Sequence, residues 1–235
     1  MLRKIFEMYR IVGLNHFYGD FFDSRFYISY LLSKNQPKKF LDIGCGVGIL
    51  LNSVPKCFKV GTDISFDSLL QAKKLNKNIE YVQCDAQFLP FKKQHFTTIT
   101  AMHLFPVINN YGGDWKLAIN EVKRISSPDS TVLITGANRT SRHFNKTHQT
   151  NHRKKYLKHI EQVNEFEDKF RVTLEGWGPH SKKIMFPFKI IYKIPDAISE
   201  KFGIEKLLYK ISKSKKYLKN GRSYVIICKS INESR

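Results

Sequence analysis

The run Phe40-Leu41-Asp42-Ile43-Gly44-Cys45-Gly46-Val47-Gly48-Ile49 puts an acid and three closely spaced glycines between an apolar stretch and a helix-like one. Gly44 and Gly46 allow a tight turn without a Cβ, so backbone can approach a ligand while the helix behind it offers unpaired N–H groups. A dinucleotide fingerprint would place its third glycine at position 49, but that residue is Ile and the glycine is Gly48, so the spacing is GxGxG. Asp42, two residues before the first glycine, would repel a pyrophosphate and suits a cationic amino-acid group.

Two more acids follow at matching places. Asp63 ends Val60-Gly61-Thr62-Asp63, nineteen residues after Gly44, where a carboxylate can accept from both hydroxyls of a ribose. Asp85 ends Tyr81-Val82-Gln83-Cys84-Asp85, where it can accept from an adenine amino group. Each Asp by itself reads equally well as a cap or turn residue. Three such acids at the tips of consecutive strands, beside a glycine loop, describe one crevice for a cationic adenosine ligand.

Strands must carry those tips. Runs rich in β-branched and aromatic residues occur at 40–43, 58–62, 80–83, 96–101 and 131–135. Helical patterns between them cover 47–54, 66–75 with Ser65 as N-cap, and 114–125, whose Trp115, Ala118, Ile119, Val122 and Ile125 share a face. Strands alternating with helices imply right-handed βαβ units and an α/β, Rossmann-like, doubly wound and mostly parallel sheet with helices on both faces. The ligand then lies beyond the carboxyl ends of the strands. A helical arm is expected over 1–36, its pattern running from Asp20 to Leu32. The main domain occupies 37–235, with a polar loop at 136–152, a helix at 154–163, a strand at 170–176, a small helical cap inserted at about 177–221 and a last strand at 222–229.

The 235 residues carry 40 Lys+Arg against 20 Asp+Glu, yet 42% are hydrophobic, which is enough apolar surface to exclude wholesale disorder. Residues 1–138 hold 17 basic and 11 acidic side chains, whereas 139–235 hold 23 and 9, so the second part carries +14 of the total +20. That excess admits an anionic partner, RNA or a membrane surface, and equally a solvated lysine-rich face. No apolar run approaches the ~20 residues of a membrane-crossing helix, and Met1–Gly13 lacks the unbroken apolar core of a secretion signal. Four scattered cysteines without CxxC pairing fit a reduced, cytoplasmic setting. His143, His148, His152 and His159 lie among Lys and Arg that would repel a cation, so no metal site is expected.

With these motifs in view, the chain resembles the class I S-adenosylmethionine-dependent methyltransferases, and among them the broad type-11 group. The resemblance rests on LDIGCGVG, GTDIS, QCDAQFLPF, FTTITAMHLF and EVKRISSPDSTVLIT and covers about residues 38–138, with the final strand in addition. Where the family usually has PGG before strand five, this chain has Pro128-Asp129-Ser130. The resemblance implies a seven-stranded sheet and S-adenosyl-L-methionine as cofactor. It places Asp42, Gly44, Cys45, Gly46 and Gly48 against the methionine part, Asp63 and Ile64 at the ribose side, Asp85 and Ala86 at the adenine, and Met102 and His103 near the reacting methyl.

The implied chemistry is in-line methyl transfer, which needs chiefly proximity and orientation. A hydroxyl acceptor would also need a base, and His103 is the catalytic candidate for it. The chain has Ala101-Met102-His103-Leu104 where nucleic-acid amino-methylating enzymes commonly carry [DNS]PP[YFW], and no cysteine follows a proline, which disfavours cytosine-C5 chemistry. A small or lipid-like acceptor is the first expectation, because the short aromatic cap suits an enclosed pocket. The alternatives are tRNA or rRNA, and a cofactor-binding regulatory protein without turnover.

Overall fold

A computed structural model describes residues 24–54, 56–138, 157–178, 217–221 and 223–231, together with Leu207 and Lys210. The described elements run α1 (Ser24–Asn35), β1 (Lys39–Ile43), α2 (Ile49–Ser53), β2 (Phe58–Asp63), α3 (Phe66–Leu75), β3 (Glu80–Gln83), β4 (Phe96–Met102), α4 (Leu104–Asn110), α5 (Trp115–Ile125), β5 (Ser126–Ala137), α6 (His159–Asn164), β6 (Phe170–Trp177), α7 (Tyr217–Asn220) and β7 (Ser223–Ser230). They build a seven-stranded sheet of order β3-β2-β1-β4-β5-β7-β6.

The pairs β1·β2, β2·β3, β1·β4 and β4·β5 are parallel, whereas β7 pairs antiparallel with both β5 and β6. The sheet is therefore mixed, where the sequence suggested a mostly parallel one. The RSYVIICK strand inserts against the chain direction of both neighbours, a placement that apolar patterning does not encode.

β1 lies inside the sheet between β2 and β4, and its last four residues are all buried, as expected of a strand covered on both faces. The period of two sorts its side chains. Leu41 and Ile43 join a core with Phe105, Ala118, Ile119 and Val122 of α4 and α5, while Phe40 joins the opposite core with Tyr27, Ile28 and Leu32 of α1. On that second face the Tyr27 and Trp177 rings stack at 4.7 Å, tying α1 to β6.

Ser65 caps α3 by accepting from the Ser68 N–H at 3.3 Å, and Asp114 caps α5 by accepting from Lys116 and Leu117 at 2.9 and 3.2 Å. Pro128-Asp129-Ser130 lies within β5, where the register against β4 shifts. Of the expected polar loop at 136–152, Gly136 and Ala137 instead extend β5, and 139–152, with most of the expected cap and arm, lie outside the described residues; within the arm, α1 covers Ser24–Asn35. No described helix is long and apolar enough to cross a membrane.

Candidate active site

The carboxyl ends of β1, β2, β3 and β4 open onto a cavity of about 550 Å³. Its wall takes Ile43 and Gly44 from the glycine loop, Thr62, Asp63 and Ile64 from β2 and the turn after it, and Cys84 to Gln87 after β3. Met102, His103 and Leu104 close the β4 side, with Val107, Ile108, Tyr111 and Gly113 around α4.

The glycine loop is shaped by backbone sterics. Gly44, Gly46 and Gly48 all have positive φ, at 70°, 53° and 75°, in the left-handed region that side chains resist. At Gly48 a Cβ would also sit 2.9 Å from the Tyr81 hydroxyl oxygen. The loop is pinned to its neighbour by the Cys45 N–H, which donates to the Thr62 carbonyl at 2.8 Å, and by the Gly46 N–H, which donates to Asp63 Oδ2 at 2.8 Å. Asp63 Oδ1 accepts from the Ser65 N–H at 2.9 Å. A carboxylate has about four acceptor positions, so Asp63 is fixed at both oxygens and keeps capacity for a ligand.

Asp85 is held similarly. Its Oδ1 accepts from the Gln87 N–H at 2.8 Å, and the Gln87 side-chain amide donates to both carboxylate oxygens at 3.1 and 3.0 Å. The two acids at the tips of β2 and β3 thus stand on the cavity wall beside Ile64 and Ala86, as the sequence placed them.

Asp42 is positioned differently. Only 3% exposed, it is absent from the cavity wall and shares the α1-facing side of β1 with Phe40. Its Oδ1 accepts from Thr100 Oγ1 at 2.6 Å. Burial raises its pKa to about 7, opposed by the Thr100 hydrogen bond and the Arg25 charge. Asp42 thus sits behind the glycine turn, where the sequence expectation had an anion beside the ligand. Cys45, Gly46 and Gly48 likewise belong to the loop without forming wall. Burial, with Asp42 and Asp63 nearby, pushes the Cys45 thiol well up, so it stays protonated.

His103 lines the cavity in the left-handed conformation, φ 58°, as the N-cap of α4, with its N–H donating to the Thr135 carbonyl at 2.8 Å. Met102 is its neighbour on the wall. Sequence reasoning missed α4 itself and the wall residues Leu104, Val107 and Ile108 that it supplies. Their i, i+3, i+4 spacing was the available signal. His143, His148 and His152 fall outside the described residues. His159 opens α6 half-buried, its imidazole pKa lowered by desolvation.

Residues 41–134 match a family model described as a methyltransferase domain. A curated tRNA (carboxymethyluridine(34)-5-O)-methyltransferase of Arabidopsis thaliana is 32% identical over 110 residues, 46% of this chain. The chain spans only about a quarter of that relative's length, 26%. Among solved structures, a Thermotoga maritima SAM-dependent methyltransferase, "possible histamine N-methyltransferase", superposes with TM-score 0.60 at 14% identity, covering 97% of this chain and 99% of that one. The plantazolicin methyltransferase BpumL, solved with SAH, gives 0.59 at 18% identity over 97% and 90% of the two chains.

The cofactor implied by the domain match is S-adenosyl-L-methionine, and the wall fits it. Asp63 and Asp85 have acceptor capacity for hydroxyls and an amine, Ile64 and Ala86 are apolar sides that suit a purine, and the described wall holds no Lys or Arg that would hold a pyrophosphate or repel a sulfonium. Residues 41–134 accordingly match a methyltransferase domain, within a chain that has the fold of class I S-adenosylmethionine-dependent methyltransferases.

Proposed function

We propose that this protein transfers a methyl group from S-adenosyl-L-methionine to a small or lipid-like acceptor. The observation that carries the reading is the pairing of two fixed carboxylates, Asp63 and Asp85, on one side of a cavity whose other side is apolar. Bound there, the cofactor supplies an activated methyl group on a positively charged sulfur. Asp63 would accept from the ribose hydroxyls, Asp85 would accept from the adenine amino group, and the Gly44 turn would let backbone approach the amino-acid end. Asp42 acts from behind that turn by fixing β1 to β4 through Thr100.

The chain's part in the reaction is to orient and to exclude water. Met102 and His103 flank the mouth at the end of β4, and for a hydroxyl acceptor His103 takes the proton that the acceptor oxygen releases. Leu104, Val107, Ile108 and Tyr111 give the acceptor side an apolar surface, which supports a small or lipid-like substrate. The protein works in the cytoplasm, with residues 37–235 as its catalytic domain and 1–36 as a leading arm.

A second reading, RNA as acceptor, is favoured by the likeness to the Arabidopsis thaliana tRNA enzyme over 110 residues. Lys38, Lys39, Lys56, Lys77, Lys92 and Lys93 are also exposed at the amino-terminal ends of β1 to β4, on the pole away from the cavity. Calorimetry with S-adenosylhomocysteine, followed by a gel shift with tRNA across a salt series, tests both. Binding of the nucleoside with no tRNA shift supports the first reading. A shift lost steeply with salt supports the second. Absence of nucleoside binding overturns both.

A further inference from the structure

We infer that Gln87 is a positioning residue that sets Asp85 to select a 6-amino purine over a 6-oxo purine, an inference that rests on the proposed cofactor reading. Gln87 stands on the cavity wall two residues beyond Asp85, and every polar group of its side chain is engaged. Its Oε1 accepts from the Asp114 N–H at 2.7 Å, at the head of α5. That bond decides which way the amide faces. With the oxygen committed to Asp114, the nitrogen must face Asp85, where it donates to Oδ1 at 3.1 Å and Oδ2 at 3.0 Å, while the Gln87 backbone N–H donates to Oδ1 at 2.8 Å.

Two consequences follow for recognition. The carboxylate plane is fixed by three hydrogen bonds from two nitrogens of one residue, and the remaining lone pairs are the ones left for the cavity. Asp85 therefore presents acceptors only. An exocyclic amine donates to them, whereas a 6-oxo group sets acceptor against acceptor in a partly desolvated wall, which is the kind of mismatch that separates close analogues strongly. The support is itself anchored. Asp114 caps α5 through Lys116 and Leu117, and Gly113 beside it leaves the room Gln87 needs, since a Cβ there would lie 3.3 Å from Nε2 and 2.7 Å from Ile108 Cγ2. Asp85 is thus braced on α5, an element that carries no predicted ligand contact of its own.

Discrimination between two ligands separates positioning from simple support, because a loosened wall weakens both alike. The experiment measures the affinities of S-adenosylhomocysteine and its deaminated counterpart, S-inosylhomocysteine, by calorimetry on wild type, Gln87→Glu and Gln87→Met, with folding checked by thermal melting. Wild type should prefer the amino form by at least about tenfold. Gln87→Met, which keeps the chain length and loses the donors, should shrink that preference several-fold. Gln87→Glu, which sets a second carboxylate against Asp85, should weaken the amino ligand more than Gln87→Met does. A folded Gln87→Met that keeps the full preference, or a wild type that binds both ligands equally, overturns this inference and leaves the cofactor reading standing. A wild type that binds neither overturns both.

Discussion

The Gly46 N–H donates to the Asp63 carboxylate at 2.8 Å, so the acid at the tip of β2 and the glycine turn after β1 form a single structural unit. Removing the carboxylate therefore does two things at once. Asp63→Ala deletes the acceptor for the ribose and leaves the Gly46 and Ser65 N–H groups without their partner. The expected loss of S-adenosylhomocysteine affinity is about 1–3 kcal/mol, the scale of an unsatisfied polar contact. Calorimetry on wild type and variant measures it, and equal affinities would remove Asp63 from the site.

Gly48 makes a sharper steric prediction. Its φ of 75° is unfavourable for any Cβ, and that Cβ would meet the Tyr81 hydroxyl oxygen at 2.9 Å. Gly48→Ala should cost about 1–2 kcal/mol of folding stability from the backbone alone, with more from displacing Tyr81. Gly46→Ala is the control, because a Cβ there meets nothing within 4 Å and only the φ of 53° is unfavourable. Urea unfolding should rank Gly48→Ala as the less stable of the two. The reverse order would contradict the packing of Tyr81 under the loop.

The acids on the cavity wall were legible in the sequence for physical reasons. Asp63 ends β2 and Asp85 follows β3 by two residues, and the carboxyl ends of neighbouring parallel strands share one edge of the sheet, so their juxtaposition followed from βαβ order. Asp42 lies off the cavity wall because it precedes the turn within β1, where the period of two sends it with Phe40 toward α1. Helix α4 was missed because Pro106 and Asn109-Asn110 resemble a loop and outweigh the helical spacing of Leu104, Val107 and Ile108. Pro106 in fact occupies the first turn, where an absent N–H removes no helical bond. The antiparallel insertion of β7 depends on the chain between β6 and β7, which strand composition does not describe.

The link between β3 and β4 is held by a guanidinium. Arg124 donates to the carbonyls of Leu89 and Phe91 at 2.9 and 2.7 Å and to both oxygens of Glu121, which in turn accepts from the Leu89 N–H at 2.8 Å. This clamp fastens residues 89–91, just beyond Asp85 and Gln87, to α5. Arg124→Ala should destabilise the fold by about 1–3 kcal/mol through carbonyls left unpaired, more than an exposed ion pair would contribute. Arg124→Lys should recover only part of it, because one ammonium cannot reproduce the planar fork. Melting curves of the two variants decide the point, and full recovery by lysine would reduce the clamp to a charge.

Asp42 ties stability to pH. Desolvation lifts its folded pKa from 3.8 to about 7, with Arg25 and the Thr100 hydrogen bond pulling down and Asp63 pushing up. Between about pH 4 and 7 the folded protein then holds a proton at Asp42 that the unfolded chain has released, so this group's contribution to stability declines as pH rises. The slope is at most about 1.4 kcal/mol per pH unit. Asp42→Asn keeps an acceptor for Thr100 and cannot ionise, so its stability relative to wild type should increase steadily from pH 5 to pH 7 and level off above. Urea titrations at unit intervals of pH give that difference directly. Parallel curves for the two proteins would mean that Asp42 is charged throughout, and that the α1-facing side of β1 stabilises an anion more strongly than Thr100 and Arg25 explain.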